Sequence, residues 1–324
     1  MSTHTLKYYG EEIAGFNFEF AKTHYNIYPW IEEDGALVRV LRLDSAAVVV
    51  AHLSQAGRGR AHSLNVTVSS RRNLSRPDLA ETRKKLAWSL GLDESYDYLR
   101  PLARRDPVLK AALAVNRGIR PKRYPEIFEA VCGAICAQNV DFRRLYRMME
   151  SLSVRFGQMA AVSKGAYHSF PTPKAIAQST IEDLRECKVG YRAAMIKNAA
   201  QWFQANQQTL GRLDLRNLPA EEAVSSLCEI PGVGPYSACI VLSACIGRPD
   251  IFHLDSFTRH ILRTFYFFGR EAGDDELRAF VAEKWPGVGG SVAHLLTTNT
   301  EVWAARLGHE DMRRSGARHR KTNS

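Results

Sequence analysis

The hydrophobic pattern of this chain changes once, near residue 71, and this change limits the folds that the chain can adopt. Before it, apolar and polar residues alternate most clearly over residues 64–69, LNVTVS, which indicates a strand with one face toward water. Residues 37–43 and 46–51 are also strand-like, and Asp44 and Ser45 form the predicted turn between them. After Arg72 the apolar residues recur at helical spacing.

We therefore expect an α+β protein, in which an N-terminal antiparallel β-rich domain packs on a large all-helical domain. The predicted boundaries are 1–80 for the β-rich domain, 81–312 for the helical domain and 313–324 for a basic disordered tail. Ser179 and Glu182 form a predicted capping box at the start of one helix. A last helix is predicted over residues 291–307.

The chain has 324 residues and a formal net charge of +10, which is compatible with a polyanionic partner but does not identify one. No apolar run approaches the roughly 20 residues that span a bilayer. The first residues, MSTHTLKYYGEE, also lack the pattern of a signal peptide. We expect a monomer in the cytoplasm or nucleoid (or the nucleus of a eukaryote) that is not secreted and has no membrane partner.

The cysteines point to a core role rather than a metal site. No CxxC pair occurs, so a structural zinc or iron–sulfur site is not expected. Cys132 and Cys136 share a helix face, but two thiols alone make a poor metal site. The six cysteines are Cys132, Cys136, Cys187, Cys228, Cys239 and Cys245.

A Pro-Gly-Val-Gly turn at residues 231–234 lies between two helical patterns. Glycine allows a tight turn whose amides point outward, and the following helix adds its unpaired amides and its positive dipole end. Together these groups would form an anion site suited to a DNA phosphate. An isolated motif of this kind is also compatible with a plain helix connection. Residues 286–289 repeat the same four letters with no carboxylate at a comparable distance, so we interpret that copy as a structural turn.

A single carboxylate, Asp255, follows Gly234 by 21 residues and precedes a helical pattern that begins at Ser256. Asp is a favoured N-cap residue, which is the simplest interpretation. A capping carboxylate can also face a cleft and act in catalysis, so the two roles are compatible.

Four segments, in order, resemble the helix-hairpin-helix, Gly/Pro-rich, Asp-containing (HhH-GPD) superfamily of base-excision DNA glycosylases. IPGVGPYSA at 230–238 and HLDSFTRHI at 253–261 resemble its hairpin and catalytic segments. AVCGAICAQN at 130–139 resembles the helix that ends at the intercalating residue, and KVGYRA at 188–193 is similar to a segment of the 8-oxoguanine and alkylpurine branches. Residues 16–30 and the strands after them look like the N-terminal β domain of those branches.

The resemblance implies a role for each matching residue. Asp255 would stabilise the positive charge that develops on the sugar and would position or activate water. Asn139 would fill the gap left by the flipped base, with Tyr191 wedging nearby. Without the surrounding motif, Asn139 would be interpreted as a helix C-cap and Tyr191 as a core aromatic. The turn would bind phosphate and hold a monovalent cation on its carbonyls, with no metal held by side chains. The implied DNA-binding residues are Gly232, Val233, Gly234, Tyr236, Ser237, Gln138, Asn139 and Tyr191.

Two positions predict which glycosylase this chain is. Tyr236 stands where bifunctional members carry a lysine nucleophile, which implies a monofunctional enzyme that uses water. Tyr25 stands where the 8-oxoguanine branch has a glycine, which favours alkylated purines of the 3-methyladenine or 7-methylguanine type. Aromatic rings attract such cationic bases. The predicted base pocket consists of Tyr25, Tyr28, Trp30 and Tyr236, and the alternative for Tyr28 and Trp30 is a buried aromatic pair.

The sequence departs from the superfamily at one point and leaves other functions open. Phe257 replaces the histidine that many relatives have two residues after the catalytic Asp. No cysteine follows Cys245, so we expect no iron–sulfur cluster and no other cofactor. The expected partner is double-stranded DNA that contains a damaged base. The alternatives are an oxidised-base (8-oxoguanine-type) glycosylase and a non-cleaving DNA-damage-binding protein, and Asp255 argues against the second.

Overall fold

The computed structural model describes residues 2–24, 26–57, 62–163, 165–212, 214–310 and 312. Tyr25, which the sequence placed in the base pocket, lies outside the described residues, and so does the predicted tail from 313 to 324.

An antiparallel five-stranded sheet occupies the N-terminal part of the chain, as the alternating pattern predicts. Its strand order is β1-β5-β4-β3-β2, so the first strand pairs with the last, and Thr5 of β1 lies opposite Thr67 of β5. In β5, Val66 and Val68 are buried and Thr67 is exposed, as expected for a strand with one face toward water. The sheet strands are β1 (Ser2–Tyr9), β2 (Trp30–Glu33), β3 (Ala36–Arg42), β4 (Val48–Ala56) and β5 (Ser63–Ser70); a separate hairpin consists of β6 (Met159–Val162) and β7 (Gly165–His168).

Most of the remaining chain is helical. In the described residues, short 3-10 helices lie at Gly10–Ile13 and Tyr96–Leu99, and a π-helical segment lies at Leu242–Ile246. The α-helices are α1 (Phe18–Thr23), α2 (Arg76–Ser89), α3 (Arg100–Ala103), α4 (Pro107–Val115), α5 (Ile127–Ala137), α6 (Phe142–Phe156), α7 (Pro173–Gln178), α8 (Ile181–Glu186), α9 (Arg192–Arg212), α10 (Ala220–Cys228), α11 (Pro235–Val241), α12 (Ser256–Tyr266), α13 (Asp274–Lys284), α14 (Gly289–Leu296) and α15 (Thr300–Ala305).

Strands β3 and β4 are buried on both faces of the sheet. On one face, Leu41 and Val49 belong to a core that includes Leu86 of α2. On the other face, Val40 packs in a second core with Tyr167 of the β6–β7 hairpin. This double burial explains why the two strands read as nearly continuous apolar runs rather than as alternating ones.

A buried ion pair ties the sheet to the helix that leads to Asn139. Arg39 of β3 donates to Glu129 of α5 at 2.6 Å, and the side chains are 1% and 5% exposed. Burial raises the pKa of Glu129, and the Arg39 charge opposes that rise. Removing one member of such a pair would leave a buried charge without its partner, which is strongly destabilising. The pair therefore couples β3 to α5.

The part of the chain that was predicted to be all-helical is mostly helical, because it also contains the β6–β7 hairpin. Two local predictions are wrong in detail. The capping box at α8 uses Thr180 and Asp183, one residue later than Ser179 and Glu182, because the N-cap side chain that accepts the Asp183 amide is that of Thr180. The predicted helix at 291–307 is two helices, since Asn299 adopts a left-handed backbone conformation (φ 48°, ψ 37°) that interrupts helical geometry.

The chain forms two compact units, and the predicted boundaries at residues 80 and 312 stay a prediction. One unit consists of Met1–Glu94 and Arg120–Gly247, and the other of Ser95–Ile119 and Arg248–Ser324. Among the residues that the structure describes, none of the helices combines the length and the apolar content needed to cross a membrane.

Candidate functional site

The Pro-Gly-Val-Gly turn joins α10 to α11 in the first unit and is anchored by its apolar residues. Ile230 and Val233 are buried, and the Val233 amide donates to the Ile230 carbonyl at 3.0 Å. Gly232 has φ +85°, and a Cβ added there would lie 2.8 Å from Cβ of Met195 in α9. Gly234 caps α11, is exposed, and has open space around it. The turn is therefore fixed from the inside and open at its second glycine.

Gln138 connects this turn to the end of α5. Its backbone is the C-cap of α5. Its side-chain amide donates to the Gly232 carbonyl at 3.2 Å and lies 3.5 Å from the Ser237 hydroxyl in α11. Ser237 itself is 3% exposed, so its hydroxyl acts inside the protein. The structure thus places Gln138 and Ser237 as supports of the turn.

The two predicted insertion residues lie beside the same support. Asn139 follows Gln138 with φ +53°, a left-handed conformation that asparagine tolerates better than most residues. Tyr191 is 57% exposed, which does not fit a core aromatic. Arg192 lies next to Tyr191 and is only 3% exposed; it donates to the Gln138 carbonyl, and its guanidinium carbon lies 4.4 Å from the centre of the Tyr191 ring.

Arg192 is the supporting residue that sequence reasoning missed. It touches both the residue before Asn139 and the ring of Tyr191, and its other contact is the Val189 carbonyl at 3.3 Å. The sequence contained a weak signal, because an arginine inside an otherwise apolar stretch needs a partner when it is buried. Its partner is a carbonyl 54 residues away in sequence, which no local pattern predicts.

Asp255 lies in the second unit and is the N-cap of α12. One of its carboxylate oxygens accepts the Thr258 amide at 2.6 Å, and the side chain is partly exposed. Arg259, one turn further along, directs its guanidinium at Asp274 with contacts of 2.8 and 2.9 Å. The hydrogen bond with Asp274 is the main reason that the pKa of Arg259 is raised, and the Asp255 charge adds to it. Asp255 is thus held in one orientation by its helix.

Three of the four predicted pocket aromatics lie in the described part of the chain, and they differ in accessibility. Tyr28 and Trp30 are 4% and 3% exposed, whereas Tyr236 is 44% exposed in the first turn of α11. The Tyr28 hydroxyl donates to the His168 carbonyl at 3.0 Å, and burial raises the pKa of this tyrosine.

Trp30 already has cationic neighbours of its own. Its ring centre lies 5.3 Å from the guanidinium carbon of Arg39 and 5.1 Å from Nζ of Lys122. These contacts favour the buried-pair interpretation of Tyr28 and Trp30, so Tyr236 is the accessible one among the described candidates.

Two kinds of group are relevant to cation binding, namely the carbonyl oxygens of the turn and the thiols of the buried cysteines. The Gly234 carbonyl accepts the Ala238 amide at 2.9 Å and, like any carbonyl, has a second lone pair. Carbonyl oxygens are suitable ligands for an alkali cation. Burial raises the pKa of Cys136 to about 12, as expected for a core thiol. No three His, Cys, Asp or Glu residues of the described ranges are grouped so as to hold a metal ion.

Comparisons with known proteins agree with these features. Residues 132–287 match the family described as HhH-GPD superfamily base excision DNA repair protein. The chain is 26% identical over 187 residues to a DNA-3-methyladenine glycosylase of Bacillus subtilis, of which it spans only 61%. It is 25% identical over 311 residues to a probable N-glycosylase/DNA lyase of Methanothermobacter thermautotrophicus, covering 89% of this chain and 92% of that protein.

Solved structures show the same fold over most of the chain. A protein named MBOgg1, in complex with a low-affinity DNA ligand, superposes with a TM-score of 0.72 at 23% identity and covers 95% of this chain and 97% of its own. The 3-methyladenine DNA glycosylase of Archaeoglobus fulgidus gives 0.70 at 22% identity, with 91% and 97% covered. Residues 132–287 therefore form a domain of the HhH-GPD superfamily of base excision DNA repair proteins.

Proposed function

We propose that this protein is a monofunctional DNA glycosylase, which flips a damaged base out of double-stranded DNA and hydrolyses its N-glycosidic bond with water. The observation that carries the proposal is Tyr236, which is 44% exposed directly after the turn, where a strand-cutting relative needs an amine. Residues 227–261 contain no lysine at all, so this segment offers no amine for a Schiff base.

Asp255 is the proposed catalytic carboxylate. Leaving-base departure puts positive charge on the sugar, and a fixed negative charge stabilises that transition state more than the ground state. Because the Thr258 amide holds one carboxylate oxygen, the group needs little reorganisation during the reaction. A protein that only binds damaged DNA has no need of this residue, which argues against the non-cleaving alternative.

The turn, Asn139 and Tyr191 are the proposed DNA contacts. The amides after Gly234 would bind a backbone phosphate, and the turn carbonyls would hold a monovalent cation beside it. Asn139 would occupy the place of the flipped base, and the exposed Tyr191 would wedge next to it. Gln138 and Ser237 would act by holding the turn through the Gly232 carbonyl.

Alkylated purines are the proposed substrates. Tyr236 offers an accessible aromatic ring, which attracts a cationic base, and a relative of this chain is named DNA-3-methyladenine glycosylase. Other relatives are named N-glycosylase/DNA lyase, including one from Arabidopsis thaliana that is 29% identical over 143 residues. An oxidised-base glycosylase is therefore the second candidate.

A panel of lesion duplexes separates these possibilities. Duplexes that carry a 3-methyladenine-type lesion, hypoxanthine or 8-oxoguanine are incubated with the protein, and strand breaks are scored with and without alkali. We expect breaks at the alkylated base that appear only after alkali. Breaks without alkali, or a protein–DNA adduct trapped by borohydride, would contradict the monofunctional mechanism, and preferred excision of 8-oxoguanine would contradict the substrate.

Asp255→Asn tests the catalytic assignment. Asparagine caps helices about as well as aspartate, so the Thr258 amide keeps its acceptor while the charge is removed. Excision should fall by about a thousandfold or more, with binding to undamaged duplex unchanged. The matched control is Asp106→Asn, which changes another N-cap aspartate of the same unit that accepts the Leu109 amide at 2.9 Å. Near wild-type excision by Asp255→Asn would show that another residue carries the chemistry.

A further inference from the structure

Three arginines of α6 lie on one exposed face of that helix. Arg143, Arg144 and Arg147 are all exposed, and their spacings of three and four residues place them together. None of the three forms an ion pair with an acidic residue in the part of the chain that the structure describes. We call these residues the α6 arginine face.

The position of this face is unfavourable for the isolated protein. Arg143 and Arg144 lie in the first turn of α6, where the helix dipole is positive and cations are destabilising, and Arg147 lies one turn further along. Like charges at a spacing of four residues also repel each other, as Arg143 and Arg147 do. No acidic residue lies in the first turn of the helix. Helix stability therefore does not account for three arginines here.

The other end of the same helix shows the usual arrangement. Arg155 lies in the last turn, where a cation is favourable. It pairs with Asp183 at 2.5 Å and with Glu186 at 2.6 Å. Hydrogen bonds from Thr180 and from Arg155 lower the pKa of Asp183 to about 2, so this pair stays charged at neutral pH. Arg155 has its partners inside the protein, which makes it a control for the three that do not.

The α6 arginine face starts at the predicted insertion point. Asp141 caps α6 by accepting the Arg144 amide at 2.8 Å, and only Val140 separates Asp141 from Asn139. Phe142, which opens the helix, is 46% exposed. The surface segment that carries Asn139 therefore continues directly into the arginines.

The turn at 231–234 cannot supply this charge itself. Residues 229–239 contain no lysine or arginine, and their only charged side chain is the acidic Glu229. Backbone amides position a phosphate, but the salt-sensitive part of DNA affinity arises when lysine or arginine side chains displace counterions. A protein that grips DNA through this turn needs its cations elsewhere.

We propose that the α6 arginine face binds backbone phosphates of the DNA next to the base pair that Asn139 enters, and that it supplies electrostatic affinity that the turn lacks. The inference rests on the proposed function, because it requires DNA at Asn139. The partner is the sugar–phosphate backbone, so these contacts carry no base specificity. Phosphates that lie against the arginines would reduce the electrostatic repulsion at the start of α6.

The test is the salt dependence of DNA binding by the triple variant Arg143→Gln, Arg144→Gln, Arg147→Gln. Affinity for a duplex with an uncleavable abasic-site analogue is measured from low to moderate salt. If each arginine neutralises one phosphate, the slope of log K against log salt becomes less steep by about 0.9 for each arginine replaced, or about 2 to 3 in all. Affinity at low salt should fall at least about tenfold. The control variant Arg155→Gln should keep the wild-type slope.

Two further measurements separate this role from others. The melting temperature of the triple variant should stay the same or rise, since repulsion at the helix start is removed; a fall would indicate a structural role and overturn the proposal. Single-turnover excision at saturating protein should change less than about twofold, because binding is then complete. A slope equal to that of Arg155→Gln would overturn the proposal even if excision is confirmed. A reduced slope in a protein that excises no lesion would support the DNA surface and contradict the glycosylase function.

Discussion

Two turns of this protein share the sequence Pro-Gly-Val-Gly, and their glycines have opposite surroundings. In the turn at 231–234, the first glycine is crowded and the second is open: a Cβ on Gly232 would lie 2.8 Å from Met195, whereas one on Gly234 would meet nothing within 4 Å. In the turn at 286–289 the order is reversed. Gly287 is open, and a Cβ on Gly289 would lie 2.7 Å from Val281.

Because of this reversal, the helix start after the first turn is open to a ligand, whereas the helix start after the second turn is packed within the protein. Gly234 leaves the start of α11 accessible, so its amides can meet a ligand. At the start of α14, by contrast, the Ser291 amide donates to the Pro249 carbonyl at 3.1 Å, and the next glycine, Gly290, packs against Ile251. At the second turn, a backbone amide of the helix start is thus hydrogen-bonded within the protein, which agrees with the interpretation of this copy as a structural turn.

The largest expected decrease in stability is that of Gly290→Ala. The new Cβ would lie 2.2 Å from the Ile251 carbonyl oxygen and 3.0 Å from that of Pro249, and backbone atoms cannot give way as a flexible side chain can. We expect a decrease of about 3 kcal/mol in the free energy of unfolding, measured by chemical denaturation. The control is Gly273→Ala, where the Cβ meets open space. A decrease as small as that of the control would mean that the second turn is not tightly packed.

Gly232→Ala should come next, with a decrease of about 2 kcal/mol in the free energy of unfolding. Alanine at φ +85° carries the strain of a left-handed conformation, and its Cβ would also push on Met195. Gly287→Ala is a matched control, because it has a similar φ of +73° in open space and should cost only about 1 kcal/mol. Equal decreases in urea unfolding would show that backbone strain alone, and not the contact with α9, sets the need for glycine.

Gln138→Ala should have a smaller effect on stability, about 1 kcal/mol, because it removes one hydrogen bond to the Gly232 carbonyl. We also expect weaker binding to a duplex with an abasic-site analogue, since the turn and Asn139 would no longer share a support. Gln158→Ala, at an exposed glutamine with a contact of 3.4 Å to Arg42, is the control. Unchanged DNA affinity in Gln138→Ala would show that the turn holds its place without α5.

Gly234→Ala should have the smallest effect on stability, within about 0.5 kcal/mol. Its φ is −94°, and nothing lies near the added methyl group. DNA affinity, measured on the same sample, should nevertheless fall several-fold, because the methyl group would occupy the space of a bound phosphate. If stability fell as in Gly290→Ala, the contrast between the two turns would be wrong.

The sequence predicted the fold well because its main signals are local. The antiparallel sheet followed from strand patterns, and most of the chain after Arg72 is helical, as the spacing of its apolar residues predicted. Errors arose where two local solutions differ little in free energy. Thr180 and Ser179 are both good N-cap residues, and Asn299 ends one helix and starts another without any glycine or proline to mark the break.

The candidate site was predicted in part. Motif positions identified Asp255, Asn139, Tyr191 and the turn as candidates, and whether they act as proposed is a matter for the experiments above. The sequence did not predict that Trp30 is buried beside Arg39 and Lys122. Its neighbours come from β3 and from a segment 92 positions away, so its exposure depends on how distant parts of the chain pack.

By itself, the sequence determined that a β-rich part precedes a mostly helical part, and it determined the two Pro-Gly-Val-Gly turns and the absence of lysine from residues 227–261. These follow from side-chain period, turn chemistry and residue identity, which act over a few neighbouring positions. Only the tertiary structure decided which glycine of each turn is crowded, and that Arg192 holds the residue before Asn139. These facts depend on contacts such as Gly232 with Met195, and such contacts exist only after elements far apart in the chain have packed together.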